Sequence, residues 1–141
     1  MKPNEWEVFD YEVMMLNQTG AILGGGIVAG ALHNAVVESH LLHTRILVDI
    51  LTSYCKQNDD LRLSVLLPSF TSPRIDELRT AYGYATPRDT TKPYYVLNKM
   101  LAHGTSVRSD KFTYGPILQQ LVPSFPDLLK EVEAARPPNT R

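Results

Sequence analysis

Apolar residues recur at spacings of three and four over most of the chain, which is the period of an amphipathic α-helix. The first such stretch follows Asn4, a residue type that caps helix N-termini, and it predicts a helix to about residue 19. The apolar positions of this helix are Trp6, Phe9, Val13, Met14 and Leu16.

Residues 21–37 are the most apolar stretch, and their glycines are Gly24, Gly25, Gly26 and Gly30. This spacing resembles a dinucleotide-binding loop, but such a loop follows a buried strand, whereas the preceding segment has a helical pattern. Polar residues from His33 onward interrupt the stretch too soon for a membrane span, and the acidic residues ahead of it exclude a secretion signal. We therefore predict a turn near residues 24–26 between two helices.

A long central helix is predicted over about residues 27–55, because this segment lacks proline and only Gly30 interrupts its helix-forming residues. At ~1.5 Å per residue the helix would be around 40 Å long. Its apolar residues surround most of the helical wheel, so we expect it to be buried on nearly all sides.

Proline and glycine delimit the later elements. Ser72 as a cap, Pro73 at the first helical position and Gly83 as a stop predict a short helix over residues 72–83. In residues 61–67, alternating leucine and valine fit a strand, but no second strand accompanies them, so we favour a helical turn or an irregular segment.

Two further helical regions complete the chain, one ending near Gly104 and one over about residues 114–135 that Pro123 divides. Ser124 and Asp127 have the spacing of a capping box. The fold class is thus predicted to be all-α, an up-and-down bundle of about four to five helices. Residues 1–136 would form a single helical domain and residues 137–141 a disordered tail.

Composition narrows the classes of function. The net charge of −1 and the scattered basic residues argue against nonspecific nucleic-acid binding. A single cysteine, Cys55, excludes an internal disulfide and a cysteine-rich zinc site. Without a membrane span or secretion signal, we expect a cytoplasmic protein with no membrane association, no nucleotide cofactor and no other cofactor.

One narrow polar stripe interrupts the apolar surface of the central helix. It consists of Asn34, Glu38, Arg45, Asp49 and Thr52, of which two pairs lie four residues apart and so share a helix face. The stripe is either the solvent edge of a buried helix or a polar seam that faces a cleft. In the second case its partners would be a later polar cluster, Asn98, Lys99, His103 and Thr105, and His43 and Arg108 would also belong to the seam.

Histidines offer a weaker candidate site. His33, His40 and His43 lie on one side of the wheel, but His33 and His40 are about 10 Å apart along the axis, too far to share a metal ion. Only His40 and His43 have usable spacing, so they are weak metal candidates. His103, near a helix C-terminus, would serve as a general acid or base, or would cap the last carbonyl groups.

Two sequence elements carry a resemblance to a family. They are Asn34-Ala35-Val36-Val37-Glu38 followed by His43-Thr44-Arg45 and Asp49, and Asn98-Lys99 followed by Leu101-Ala102-His103, Thr105 and Arg108. In this order and spacing they resemble a group of small bacterial helical proteins that is similar to the HEPN superfamily. The resemblance covers roughly residues 30–110.

HEPN proteins are helical bundles that often dimerise and often act as metal-independent ribonucleases with an R-x4-6-H motif. His103 matches the histidine of this motif, whereas Asn98 occupies the position of the arginine. The resemblance therefore implies a homodimeric, non-catalytic binding or accessory protein of a defence or toxin-type system, with RNA or another protein as partner. The alternative is a metal-independent endoribonuclease in which His103 acts with Arg45 or Arg108, and Asn98 or Thr105 orients the phosphate.

Overall fold

A computed structural model describes residues 5–54, 60–102 and 114–141, and every regular element within these ranges is helical. The all-α prediction is therefore confirmed. The helices are α1 (Glu5–Gly25), α2 (Gly30–Leu51), α3 (Leu63–Leu66), α4 (Pro73–Tyr82), α5 (Pro93–Ala102), α6 (Gly115–Gln119) and α7 (Ser124–Ala135). A 3-10 turn at Pro138–Thr140 follows α7. None of the helices described is long and apolar enough to cross a lipid bilayer.

Helices α1 and α2 form a helical hairpin, and α2 also contacts α4, α5 and α7. The predicted glycine turn is confirmed, since Gly26 and Gly30 adopt the left-handed φ values of 65° and 62° that favour glycine. Gly30 begins α2 rather than interrupting it, so the central helix is shorter than the predicted 27–55 and ends at Leu51.

The buried residues of α2 lie mostly in its second half. Leu41, Leu47 and Leu51 are fully buried, whereas Leu32 in the first half is 61% exposed. The expectation of burial on nearly all sides is wrong for a simple reason: α4, α5 and α7 have 10, 10 and 12 residues against the 22 of α2, so they cover only part of its length.

The local sequence signals predicted the ends of α4 correctly. The Ser72 hydroxyl accepts a hydrogen bond from the Arg74 amide at 3.2 Å, and Pro73 is the first helical residue. Gly83 ends the helix with a φ of 94°, as predicted. The segment at 61–67 contains the single helical turn α3 and no strand, which confirms the preferred interpretation.

The predicted capping box at the start of α7 does not form. Pro123 is the capping residue and Ser124 already lies inside the helix, where its hydroxyl donates back to the Leu121 carbonyl at 3.3 Å. A serine within the first turn prefers such a carbonyl three residues earlier, so it is not available to cap.

The C-terminal tail, residues 137–141, makes side-chain contacts with the end of α7. Arg136, whose side chain is only 5% exposed, donates to the Thr140 carbonyl at 2.5 Å and to the Thr140 hydroxyl at 2.9 Å. The Arg141 guanidinium lies 3.3 Å from the Glu133 carboxylate. Residues 137–141 therefore fold back on the end of α7 because two arginines supply donors that the composition of the tail alone does not reveal.

Candidate functional site

A group of four tyrosines packs against the C-terminal end of α2, and we call it the tyrosine cluster: Tyr54, Tyr82, Tyr84 and Tyr94. Tyr54 and Tyr84 are stacked, with ring centres 4.3 Å apart and planes inclined by 22°. The Tyr54 and Tyr94 hydroxyls are 3.4 Å apart. The cluster thus joins the end of α2, the end of α4 and the start of α5.

Asp49 is the acidic member of this site. The Tyr84 hydroxyl donates a hydrogen bond to the Asp49 carboxylate, and the Thr52 hydroxyl lies 3.3 Å from the Tyr84 oxygen. Asp49 and Thr52 belong to the polar stripe predicted from the sequence. The C-terminal part of that stripe therefore faces other side chains of the protein rather than open solvent.

The phenols of Tyr54, Tyr82 and Tyr84 are neutral at physiological pH. A hydrogen bond with Tyr94, followed by burial, raises the pKa of Tyr54 to about 12. Burial and the nearby Asp49 charge raise the pKa values of Tyr82 and Tyr84 still further, and Arg45 opposes the rise at Tyr82. These hydroxyls are therefore hydrogen-bond donors and not bases or nucleophiles.

Tyr82 is fully buried, and its hydroxyl has no hydrogen-bond partner among the described residues. An unsatisfied buried hydroxyl is costly, so its position needs a reason. The packing supplies one: Gly83, in the left-handed conformation, turns the chain so that Tyr82 and Tyr84 enter the same cluster, with ring centres 4.9 Å apart.

Arg79 closes the end of α2 beside the cluster. Its Nη2 and Nε atoms donate to the Thr52 carbonyl at 2.6 and 3.2 Å, and its Nη1 atom donates to Asp76 at 2.9 Å. A guanidinium at the C-terminus of a helix satisfies carbonyl groups that lack intrahelical partners and interacts favourably with the helix dipole. This role was not predicted from the sequence.

The remaining stripe residues lie elsewhere. Asn34 is exposed and Glu38 is half-buried, and the distance along the axis from Asn34 to Thr52 is about 27 Å at ~1.5 Å per residue. Arg45 is half-buried and influences Tyr82 electrostatically. The stripe is thus one line on the helix but not one site.

Of the second polar cluster, Asn98 and Lys99 lie on α5, which contacts α2, and both are half-buried. The Lys99 ammonium lies 5.5 Å from the Tyr95 ring centre, a cation–π distance. His103, Thr105 and Arg108 lie outside the described residues, as does Cys55.

His43, assigned from the sequence to the polar seam, faces α1 instead. Its Nδ1 atom is 2.5 Å from a carboxylate oxygen of Glu12, and both residues are buried. Two residues separate His43 from Arg45 by about 200° around a helix, so the two point to opposite sides. Glu12 was missed because nothing within α1 indicates which of its acidic residues meets α2.

His40 faces the same helix. Its Nδ1 atom lies 2.8 Å from the Thr19 hydroxyl oxygen. The Nδ1 atoms of both weak metal candidates are thus engaged with α1. Within the described ranges, no group of three or more histidine, cysteine, aspartate or glutamate side chains is arranged to hold a metal ion.

No protein-family model matches this chain, and neither the curated proteins nor the solved structures compared with it include a match.

Proposed function

We propose that this chain is a cytoplasmic, non-catalytic helical binding protein that works as a homodimer. This is the role that the HEPN resemblance implies for an accessory or regulatory protein of a defence or toxin-type system. The observation that supports the proposal best is the uncharged apolar surface at the outer end of the α1–α2 hairpin, beyond the reach of the shorter helices.

Three large apolar side chains are exposed at this outer end. Ile27 is 84% exposed, Leu32 61% and Ile22 37%. Residues 13–37 contain no aspartate, glutamate, lysine or arginine, so no formal charge of this segment interrupts the surface. Single exposed apolar residues are ordinary, but a group of them on one element is typical of an interaction surface.

The backbone at this end is also open to close approach. A Cβ atom added at Gly24, Gly25, Gly26 or Gly30 would meet no atom within 4 Å. Small residues with free space above them allow another helix to approach closely. The hairpin end therefore offers both apolar area and room for a partner helix.

A second copy of the chain suits this surface. In a two-fold dimer the same patch contacts itself, so a charge close to the axis would face its own copy. A patch without formal charge avoids that repulsion and leaves no ion to be desolvated. We therefore expect the outer ends of two hairpins to pack together.

Sedimentation velocity over micromolar concentrations tests this proposal. We expect the unmodified protein to be a dimer and Leu32→Glu to be a monomer, because the substitution would bury a carboxylate of each copy in the apolar contact. Val65→Glu is the matched control, since Val65 is 40% exposed on α3, away from the hairpin, and its substitution should leave the dimer intact. A monomeric unmodified protein, or a dimer that Leu32→Glu does not weaken, would overturn the proposal.

The second candidate is a metal-independent endoribonuclease that uses His103 with Arg45 or Arg108. One observation favours it: Arg45 lies on the side of α2 that carries the tyrosine cluster, and α5, which carries Asn98 and leads to His103, packs on α2. The neutral tyrosines would supply hydrogen bonds to a phosphate, while proton transfer would fall to His103.

Incubation of the purified protein with mixed RNA in EDTA tests the second candidate. If the chain is this nuclease, RNA is cleaved without added metal, and His103→Ala abolishes the cleavage. Absence of cleavage, or equal cleavage by both proteins, supports the binding function instead.

A further inference from the structure

A cavity of about 300 Å³ lies between the middle of α1, α2 and the segment that joins α6 to α7. Its apolar walls include Leu16, Leu118, Leu121, Val122 and Phe125. His40 and Asn17 also line the cavity. Ligand cavities in proteins are typically apolar with few polar groups, and this volume lies at the lower end of their usual range.

The hydrogen bonding of His40 defines what the cavity recognises. The Thr19 hydroxyl oxygen lies 2.7 Å from the Met15 carbonyl and 2.8 Å from His40 Nδ1. A carbonyl can only accept, so the single hydroxyl proton goes to Met15, and His40 Nδ1–H donates to the Thr19 oxygen. In the neutral ring the proton is then on Nδ1, and Nε2 is an acceptor.

His40 is neutral under physiological conditions, because burial lowers its pKa below the ordinary value. Within the described residues, the ring bonds to the Thr19 hydroxyl and also to the Leu16 carbonyl. Both groups accept from the ring in this tautomer, so both contacts use the Nδ1 proton. The Nε2 lone pair of a residue that lines the cavity thus has no partner in the described part of the chain, and a ligand with a hydroxyl group would supply one.

The volume sets the size of that ligand. An apolar cavity of about 150 Å³ is large enough to bind benzene. A cavity of twice that volume suits a compact molecule of two rings. We infer that this cavity is a binding site for a small apolar alcohol or phenol of about two rings, whose hydroxyl donates to His40 Nε2 while its rings contact the apolar walls.

The probe for this inference is 2-naphthol, with 2-methylnaphthalene as the compound of the same shape that lacks a donor. Binding is followed by the amide chemical shifts of residues 16–20 and 118–122. We expect saturable shifts confined to these segments and an affinity about three- to tenfold higher for 2-naphthol, which is the usual contribution of one hydrogen bond. Shifts that do not saturate or are spread over the surface, or equal affinity for the two compounds, would overturn the inference.

Two substitutions on α1 separate binding in the cavity from binding elsewhere. Asn17 is exposed and lines the cavity, so Asn17→Trp should block entry and abolish binding of both compounds without disturbing the core. Gln18→Trp is the matched control, because Gln18 is an exposed neighbour on α1 that does not line the cavity. Equal loss, or equal retention, of binding in the two variants would contradict the assigned site.

A third substitution tests the role of His40. His40→Phe keeps a ring of similar size but removes the acceptor, so the preference for 2-naphthol over 2-methylnaphthalene should disappear while both compounds still bind. If His40→Phe still prefers 2-naphthol, a group other than His40 accepts the hydrogen bond from its hydroxyl, and the inference is wrong. The test does not depend on the dimer proposal, because the cavity lies away from Ile27 and Leu32.

Discussion

The Arg136 guanidinium lies over the Trp6 ring, 4.6 Å from its centre, and donates to both carboxylate oxygens of Asp10 at 2.6 and 2.9 Å. One side chain at the end of the last α-helix thus fastens the first turns of α1. The contact combines charge-assisted hydrogen bonds with a cation–π interaction. The Arg136 side chain is buried, and Asp10 is half-exposed.

Arg136→Met should lower the free energy of unfolding by about 1–3 kcal/mol, because it removes these interactions and retains most of the apolar part of the side chain. Urea denaturation followed by Trp6 fluorescence measures the change. Arg141→Met is the control: Arg141 is an exposed arginine paired with Glu133, so its loss should cost less than about 0.5 kcal/mol. Equal effects of the two substitutions would show that Arg136 stabilises the fold no more than a surface ion pair does.

Gly83→Ala should destabilise the protein by about 2 kcal/mol or more, since a Cβ in the left-handed conformation is strained. The added Cβ would also lie 2.6 Å from the Lys92 Cβ. Gly115→Ala is the matched control, because a Cβ at Gly115 meets no atom within 4 Å and the backbone there is not left-handed. Thermal denaturation of both variants measures the difference. Similar melting temperatures would show that the left-handed turn at Gly83 does not require glycine.

Alkaline pH should destabilise the fold through the tyrosine cluster. The pKa of Tyr54 is about 12 in the folded protein and about 10 in an unfolded chain, so between these values the unfolded state loses the proton first. The stabilisation is complete below about pH 10 and is lost as the pH rises toward about 12.

Tyr54→Phe should therefore flatten the decrease of the urea midpoint between about pH 9 and about pH 11. Tyr95→Phe is the control. Tyr95 lies on the same helix as Tyr94 but outside the tyrosine cluster, so its substitution should leave the decrease of the urea midpoint unchanged. Part of the decrease should remain in Tyr54→Phe because the pKa values of Tyr82 and Tyr84 are raised as well. An unchanged slope in Tyr54→Phe would mean that its hydroxyl titrates normally.

Acidic pH should also destabilise the fold, through His40 on α2. Burial lowers the pKa of His40 below 6.5. A hydrogen bond to the Leu16 carbonyl partly opposes this lowering, and the charge of His43 adds a smaller one. Below about pH 6.5 the unfolded chain binds a proton that the folded chain resists, so stability falls as the pH decreases and levels off below the folded pKa.

His40→Asn keeps a donor for Thr19 but does not titrate in this range. We expect its urea midpoint to fall less than that of the unmodified protein between about pH 7.5 and about pH 5.5. His33→Asn is the control, because His33 lies nearer the outer end of the hairpin. A fall of the same size in His40→Asn and the unmodified protein would show that His40 does not cause the acid sensitivity.

The sequence predicted those elements whose determinants are local. Ser72, Pro73 and Gly83 define α4 because capping, proline geometry and a left-handed turn depend on a few consecutive residues. The capping box at Ser124 failed because the helix begins one residue earlier than its spacing requires. The prediction that α2 is buried on nearly all sides was also wrong, since burial depends on helices that are distant in sequence.

For the candidate site, the sequence left open whether the stripe faces solvent or a cleft, and only the structure shows that Asp49 and Thr52 contact Tyr84. Tyr54, Tyr82, Tyr84 and Tyr94 are spread over three segments and have no common spacing, so only the tertiary fold brings them together. The wheel placed His40 and His43 on one face, but their partners Thr19 and Glu12 are set by the register of α1 against α2. The HEPN resemblance stays a prediction, since the part of the chain that carries His103 lies outside the described residues.

The fold also contains two separate optical reporters. Trp6 is the only tryptophan of the chain and lies under Arg136, whereas the tyrosine cluster lies at the other junction, where α2, α4 and α5 meet. Tryptophan emission therefore follows release of the first helix from the C-terminal segment, and near-ultraviolet dichroism of the tyrosines follows loosening of the interior. If the two signals change at different denaturant concentrations, the protein does not unfold in a single cooperative step, and its two halves have measurably different stabilities.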